Sequence, residues 1–149
     1  MIGIRPAGIE ACPALADIHR QGFDPAWSAE EIRSLMNGLG AFAFSAGPET
    51  SPAGFILYRI TADEAEVLTI ATRPDHRQQG VASALLDTAQ AAALASGAAL
   101  MFLEVAVDNL AALALYRSRG FEPVGGRPGY YSRPGGPIDA MIMRVDLNR

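Results

Sequence analysis

Residues 66–83 read Glu-Val-Leu-Thr-Ile-Ala-Thr-Arg-Pro-Asp-His-Arg-Gln-Gln-Gly-Val-Ala-Ser, and they change character twice. Glu66 to Thr72 has the apolar and β-branched content of a strand. Arg73-Pro74 closes it, because proline cannot donate to a sheet ladder and biases its predecessor to extended geometry. From Gly80 onward, Val81, Ala84, Leu85, Ala89, Ala92 and Ala95 recur at helical spacing up to Gly97. The loop therefore delivers the free amides of Gln78, Gln79, Gly80, Val81, Ala82 and Ser83 to a helix N-terminus, a place that suits an anion. Gly80 has no Cβ and lets a phosphate come close to the backbone, while Ala82 keeps the next turn small. Arg73, His76 and Arg77 add positive charge around it. The spacing matches neither the dinucleotide fingerprint nor the P-loop, so the anion it fits is a diphosphate held by amides. An ordinary helix start with solvent-facing arginines is the alternative.

On the C-terminal side, Leu100 to Val107 is nearly all apolar, as in a strand buried on both faces. Asp108 or Asn109 caps the next helix, which ends at Arg119-Gly120. Gly125 to Pro137 reads as a Gly/Pro-rich loop interrupted by Tyr130-Tyr131, and Ala140 to Leu147 as a closing strand. On the N-terminal side, Ile2 to Arg5 is a short strand and Ile9 to Gln21 a helix stopped at Gly22. Ser28 and Glu31 have capping-box spacing and open a second helix that runs to about Asn37. Ala41 to Ser45 and Gly54 to Thr61 form a hairpin. The pattern predicts one mixed α/β unit over residues 1–149, without repeats.

Composition narrows the chemistry. The chain has 149 residues, 50% of them hydrophobic and 19% charged, enough for one core and too little charge for disorder. A net charge of −4 argues against nucleic acid as a partner and suits cationic ones such as amines. All 12 basic residues are arginine, which excludes Schiff-base chemistry on a protein lysine. Cys12 is the only cysteine, so no internal disulfide forms and a reducing, cytoplasmic setting is expected. No signal peptide or membrane anchor is visible before Pro6. His19 and His76 are too few and too far apart for a metal site, and none is expected.

Glu104 lies in the most apolar strand, where an ionised carboxylate is costly without partners or a task. It is either a general base or a structural carboxylate satisfied by neighbours. Asn109, Ala112, Leu113 and Tyr116 share one helical face. Tyr116 is either a proton donor or a packed phenol. Trp27, Tyr130 and Tyr131 are aromatic residues in predicted loops, placed for binding or for packing.

Taken together, Val67-Leu-Thr-Ile-Ala-Thr72, Arg77-Gln-Gln-Gly-Val-Ala82, Leu103-Glu-Val105, Asn109 and Leu115-Tyr116 before Gly120-Phe121 resemble the GNAT superfamily of acetyl-CoA-dependent N-acetyltransferases. Phe23 to Glu31 with Trp27-Ser28, and Tyr130-Tyr131 followed by Asp139-Ala-Met-Ile-Met143, resemble its ribosomal-protein alanine (RimI-type) branch over essentially the whole chain. The resemblance implies an α/β (α+β) domain with a mixed, mostly antiparallel sheet of about seven strands, splayed between the fourth and fifth and flanked by about four helices. It implies acetyl-CoA held by Ile70, Ala71, Thr72, the amides of Gln78 to Ser83, and Asn109. Glu104 then becomes general base and Tyr116 general acid, with Trp27, Tyr130 and Tyr131 facing the acceptor. The acceptor implied is a protein N-terminus. A small-molecule amine, or an acyl-CoA-binding regulator without turnover, is the alternative, and the chain is expected as monomer or homodimer, away from membranes. RimI-type sequences usually carry arginine and serine where this chain has Ala106 and Asp108.

Overall fold

Pro13 sets where the first helix starts, since a proline lacks an N–H and is tolerated only in a first turn. In the computed structural model, which describes residues 2–149, a 3₁₀ turn over Ile9–Ala11 precedes helix α1, Cys12–Arg20. The expected helix from Ile9 to Gln21 is thus split in two. The reading at Met1 lies outside the described residues. Helix α2, Ala29–Met36, opens with the expected capping box: the Glu31 N–H donates to Ser28 Oγ at 3.1 Å, and the Ser28 N–H to Glu31 Oε1 at 3.0 Å. Helices α3, Val81–Ala95, and α4, Leu110–Ser118, fall where helical spacing predicts them.

Seven strands form one sheet: β1 Ile4–Pro6, β2 Ala41–Ala46, β3 Gly54–Thr61, β4 Glu64–Thr72, β5 Leu100–Ala106, β6 Glu122–Tyr131 and β7 Ile138–Asp146. Their order is β1-β2-β3-β4-β5-β7-β6, and only β4 and β5 run parallel. β6 corrects the sequence reading, which made Gly125 to Pro137 a loop. The first half of that stretch is an edge strand on β7, with register shifts between Pro123 and Gly125 and between Arg127 and Tyr131. Prolines and glycines are tolerated there because an edge strand needs hydrogen bonds on one side only.

The two faces of the sheet are covered unequally. α3 and α4 bury Leu85, Leu86, Leu113, Tyr116 and others against Ile56, Tyr58, Met101, Leu103 and Val105 on one face. On the other, α1 and α2 pack Leu15, Ile18 and Ile32 against Phe55, Leu57 and Ala71, and among the described residues no helix packs over β5, β7 and β6 on this face. No helix among the described residues is long and apolar enough to cross a membrane.

Candidate active site

The parallel pair is where the sheet opens. β4 and β5 are in register only at Glu64–Leu100, Ala65–Met101 and Glu66–Phe102. Above that point β4 stays with β3 up to Thr72–Gly54, while β5 stays with β7 up to Ala106–Ala140. Each strand follows its own partner, and a seam opens between them. A bulge at Leu68, where Leu57 faces Thr69 and Tyr58 faces Val67, bends β4 just above the parting. Ile70, Ala71 and Thr72 therefore present a β4 edge without a strand beside it.

The α3 end of the seam carries the predicted anion cradle. Gly80 caps α3 with φ +80°, and a Cβ built there would meet nothing within 4 Å. Gln78 also has positive φ, at 62°. Left-handed residues spaced this way turn consecutive N–H groups toward one point. Among the described residues, the N–H groups of Gln78, Gln79, Gly80, Val81, Ala82 and Ser83 have no protein acceptor, and Ala84 is the first to bond back, to the Gly80 carbonyl at 3.0 Å. Arg73 departs from expectation. Its guanidinium turns to Asp17 at 2.9 Å and to the Pro52 carbonyl at 2.8 Å, so it ties the loop to α1. That contact holds the exposed Asp17 carboxyl below the usual carboxylate range.

Strand alternation sends Met101, Leu103 and Val105 into the α3/α4 core and Glu104 to the opposite face. There Glu104 borders an open groove of about 280 Å³ lined by Arg59, Glu64, Glu66, Phe102, Arg127 and Ile142. The Glu104 side chain is 21% exposed, and its Oε1 lies 2.8 Å from Arg127 Nε. Tyr116 comes from α4 on the other face, 6% exposed and edge-on to Phe121 at 5.9 Å. Burial, then the neighbouring Tyr131, raises its phenol well above the usual range, so it keeps its proton at any physiological pH. Burial and then the charge of Glu104 also raise Tyr131. Tyr131 is thus within electrostatic reach of both residues, although they stand on opposite faces of the sheet.

The remaining sequence candidates divide. Tyr130 and Tyr131 stand edge to face at 5.1 Å at the end of β6, with Arg127 over the first ring at 5.4 Å and Arg133 over the second at 5.5 Å. Arg133 also pairs with Asp108 at 3.1 Å, which ties the β6–β7 turn to the start of α4. Asn109 caps α4, its Oδ1 accepting from the Ala112 N–H at 3.2 Å, which leaves its amide nitrogen free of that cap. Trp27 is engaged in packing: its ring stacks on His19 at 4.8 Å, its backbone N–H donates to His19 Nδ1 at 3.1 Å, and Phe23 stacks on the imidazole at 4.1 Å. Sequence reasoning missed Arg127, hidden in a stretch read as loop, and gave His19 no role beyond rejecting it as a metal ligand.

His19 holds the α1–α2 connection, and its chemistry is testable. It is 3% exposed, and desolvation lowers its pKa from 6.5 to about 4, against a raising influence of Glu31. The unfolded chain therefore binds a proton that the folded chain refuses between those values. Stability is complete above pH 6.5 and is lost, by up to about 3 kcal/mol from this group, as pH falls toward 4. In urea titrations at pH 7 and pH 4.5, His19→Phe is expected to show a smaller acid-induced drop in midpoint than the wild type. Equal drops would remove His19 from the account.

Similarity to known proteins is decided by one match: a model of the acetyltransferase (GNAT) family fits residues 12–121. The chain belongs to the GNAT acetyltransferase family. The ribosomal protein bS18-alanine N-acetyltransferase of Escherichia coli K12 is 32% identical over 136 residues, 91% of each chain. The crystal structure of the ribosomal-protein-S18-alanine N-acetyltransferase from E. coli superposes with a TM-score of 0.90, covering 99% of this chain and 94% of that one at 32% identity. Arabidopsis thaliana NAA60, solved in complex with acetyl-CoA, has a TM-score of 0.85 over 100% of both chains at 21% identity, a likeness of fold. This GNAT chain is an acetyltransferase, and the expected open, seven-stranded, mixed sheet with four α-helices is the architecture it has.

Proposed function

We propose that this acetyltransferase moves the acetyl group of acetyl-CoA directly onto the N-terminal α-amine of a protein in the cytoplasm, with alanine-starting chains as the first candidates. The observation that carries the chemistry is the seam: a carboxylate, Glu104, on one face and unpaired N–H groups at the head of α3 on the other. The acceptor class is supported by the 32% identity, over 91% of each chain, to an enzyme named for a ribosomal-protein alanine.

In this reading the amides of Gln78 to Ser83 hold the diphosphate of acetyl-CoA, and the free edge of Ile70 to Thr72, with the Asn109 amide, guides its arm through the seam. The cradle has room for the group, because the space a Cβ would occupy at Gly80 is open. The acceptor enters from the groove face, past Tyr130 and Tyr131. Glu104 takes a proton from the amine, whose nitrogen forms a bond to the acetyl carbon as the carbon–sulfur bond breaks. An N–H of β4 polarises the acetyl carbonyl. Tyr116, held protonated by its burial, presents its O–H to the departing sulfur. The reaction needs a neutral amine, and at pH 7 neutralising an α-amine costs about 1 kcal/mol against 4–5 for lysine. A single carboxylate suits the α-amine.

The test is release of free CoA thiol from acetyl-CoA with peptides starting in alanine, serine or methionine, an N-blocked peptide with an internal lysine, and a panel of amino acids and polyamines. Turnover confined to α-amine peptides is expected. Preference for a small amine would replace the acceptor assignment, and binding of acetyl-CoA with no thiol release from any amine would replace the enzymatic one.

A further inference from the structure

In the groove, one contact is unexpected for a proton-accepting carboxylate: a guanidinium already sits on it. Arg127 pairs with Ala140 across the β6–β7 ladder, and Glu104 with Ile142 across β5–β7. Both side chains rise on the same face, two positions apart along β7. Gly125, which faces Ile142, has no side chain to block the path, and Arg127 reaches over β7 to place Nε 2.8 Å from Glu104 Oε1. The closest approach is to Oε1.

The other charged groups on this face are engaged or lie further down the strands. Arg59 and Glu66 pair with each other at 2.8 Å. Glu64 lies at the foot of the groove, and Arg144 and Glu122 face each other across the β6–β7 ladder. Tyr130 and Tyr131 border Arg127 from the end of β6. Arg127 is therefore the cation that an arriving amine meets at Glu104.

We propose that Arg127 positions the acceptor's charge state in this site: its guanidinium sits at Oε1 of Glu104 and its charge prevents the acceptor from settling there as an ammonium. This rests on Glu104 as the base. Without Arg127, a cationic amine would form a close ion pair with Glu104 and be held in its unreactive, protonated form. With Arg127 present, any bound amine loses its proton more readily, and an α-amine, already partly neutral at pH 7, becomes largely neutral there. A lysine amine, lowered by the same amount from a higher starting pKa, still stays mostly protonated at pH 7.

The test measures initial rates of the full chain from pH 6 to 10 with an alanine-starting peptide and with an N-blocked lysine peptide, for wild type, R127Q, R127K and E104Q. For R127Q with the alanine peptide, the acidic limb of kcat moves up by about half to one pH unit. KM at pH 7 falls several-fold, kcat at pH 7 falls with it, and kcat near pH 10 returns toward the wild-type value. The lysine-peptide limb moves up by the same amount, so at pH 7 the ratio of alanine-peptide to lysine-peptide turnover does not narrow. R127K, which restores the charge, restores the wild-type limb. A merely structural role for Arg127 would lower kcat by the same factor at every pH with no rescue by lysine, and that result overturns the proposal, as does an unchanged KM. E104Q reports on the base separately: undiminished turnover there sinks the role of Glu104, whatever R127Q does.

Discussion

Replacing Glu104 with glutamine is expected to lower turnover by about 10²–10⁴-fold, with acetyl-CoA affinity within about threefold of wild type. Glutamine is near-isosteric and keeps an oxygen for the Arg127 guanidinium, so the groove keeps its shape. What disappears is the capacity to accept a proton. Glu104 faces the groove while the α3 cradle lies at the far end of the seam, so donor binding and proton removal separate in the measurement. Tyr116→Phe tests the other side. The ring packing on Phe121 survives, the O–H is lost, and turnover falls again without loss of binding. Because the phenol is raised by burial, its deprotonation should leave no basic limb in the pH profile below about pH 10. Normal turnover in either variant removes that residue from the chemistry.

How much of this was legible in the sequence depends on whether the signal was local. The strand–loop–helix unit from Glu66 to Ala95 could be read because proline, glycine and helical spacing act within a few residues of one another. The cap of α2 was visible for the same reason, Ser28 and Glu31 being three apart, while for α4 the sequence left Asp108 or Asn109 and the cap is Asn109. β6 was not legible. Its residues are almost all exposed, its register shifts twice, and its strand state is imposed by pairing with β7, a non-local cause. Arg127 was lost with it, since its meaning depends on a partner 23 positions away that it meets only across β7. Arg73 shows the opposite error. Sequence proximity put it beside the anion cradle, and a carboxylate on α1 drew it elsewhere.

Gly80→Asp is expected to weaken acetyl-CoA binding by at least about 100-fold, roughly 3 kcal/mol. The residue sits with φ +80° at the cap of α3, and a built Cβ meets no atom within 4 Å. Nothing in the protein clashes with the new side chain, and aspartate enters the left-handed region more easily than most residues. Its charge at a helix N-terminus also favours the helix. The fold should therefore survive, with a thermal midpoint close to wild type. The carboxylate, however, fills the space left open at Gly80 and turns a positive site negative, so a diphosphate loses both room and field. Gly80→Asn separates the two causes, since asparagine has the same shape and the same tolerance of positive φ without the charge. Its affinity should fall between wild type and Gly80→Asp. Calorimetric titration with acetyl-CoA measures all three, and micromolar binding by a folded Gly80→Asp protein would move the diphosphate away from the head of α3.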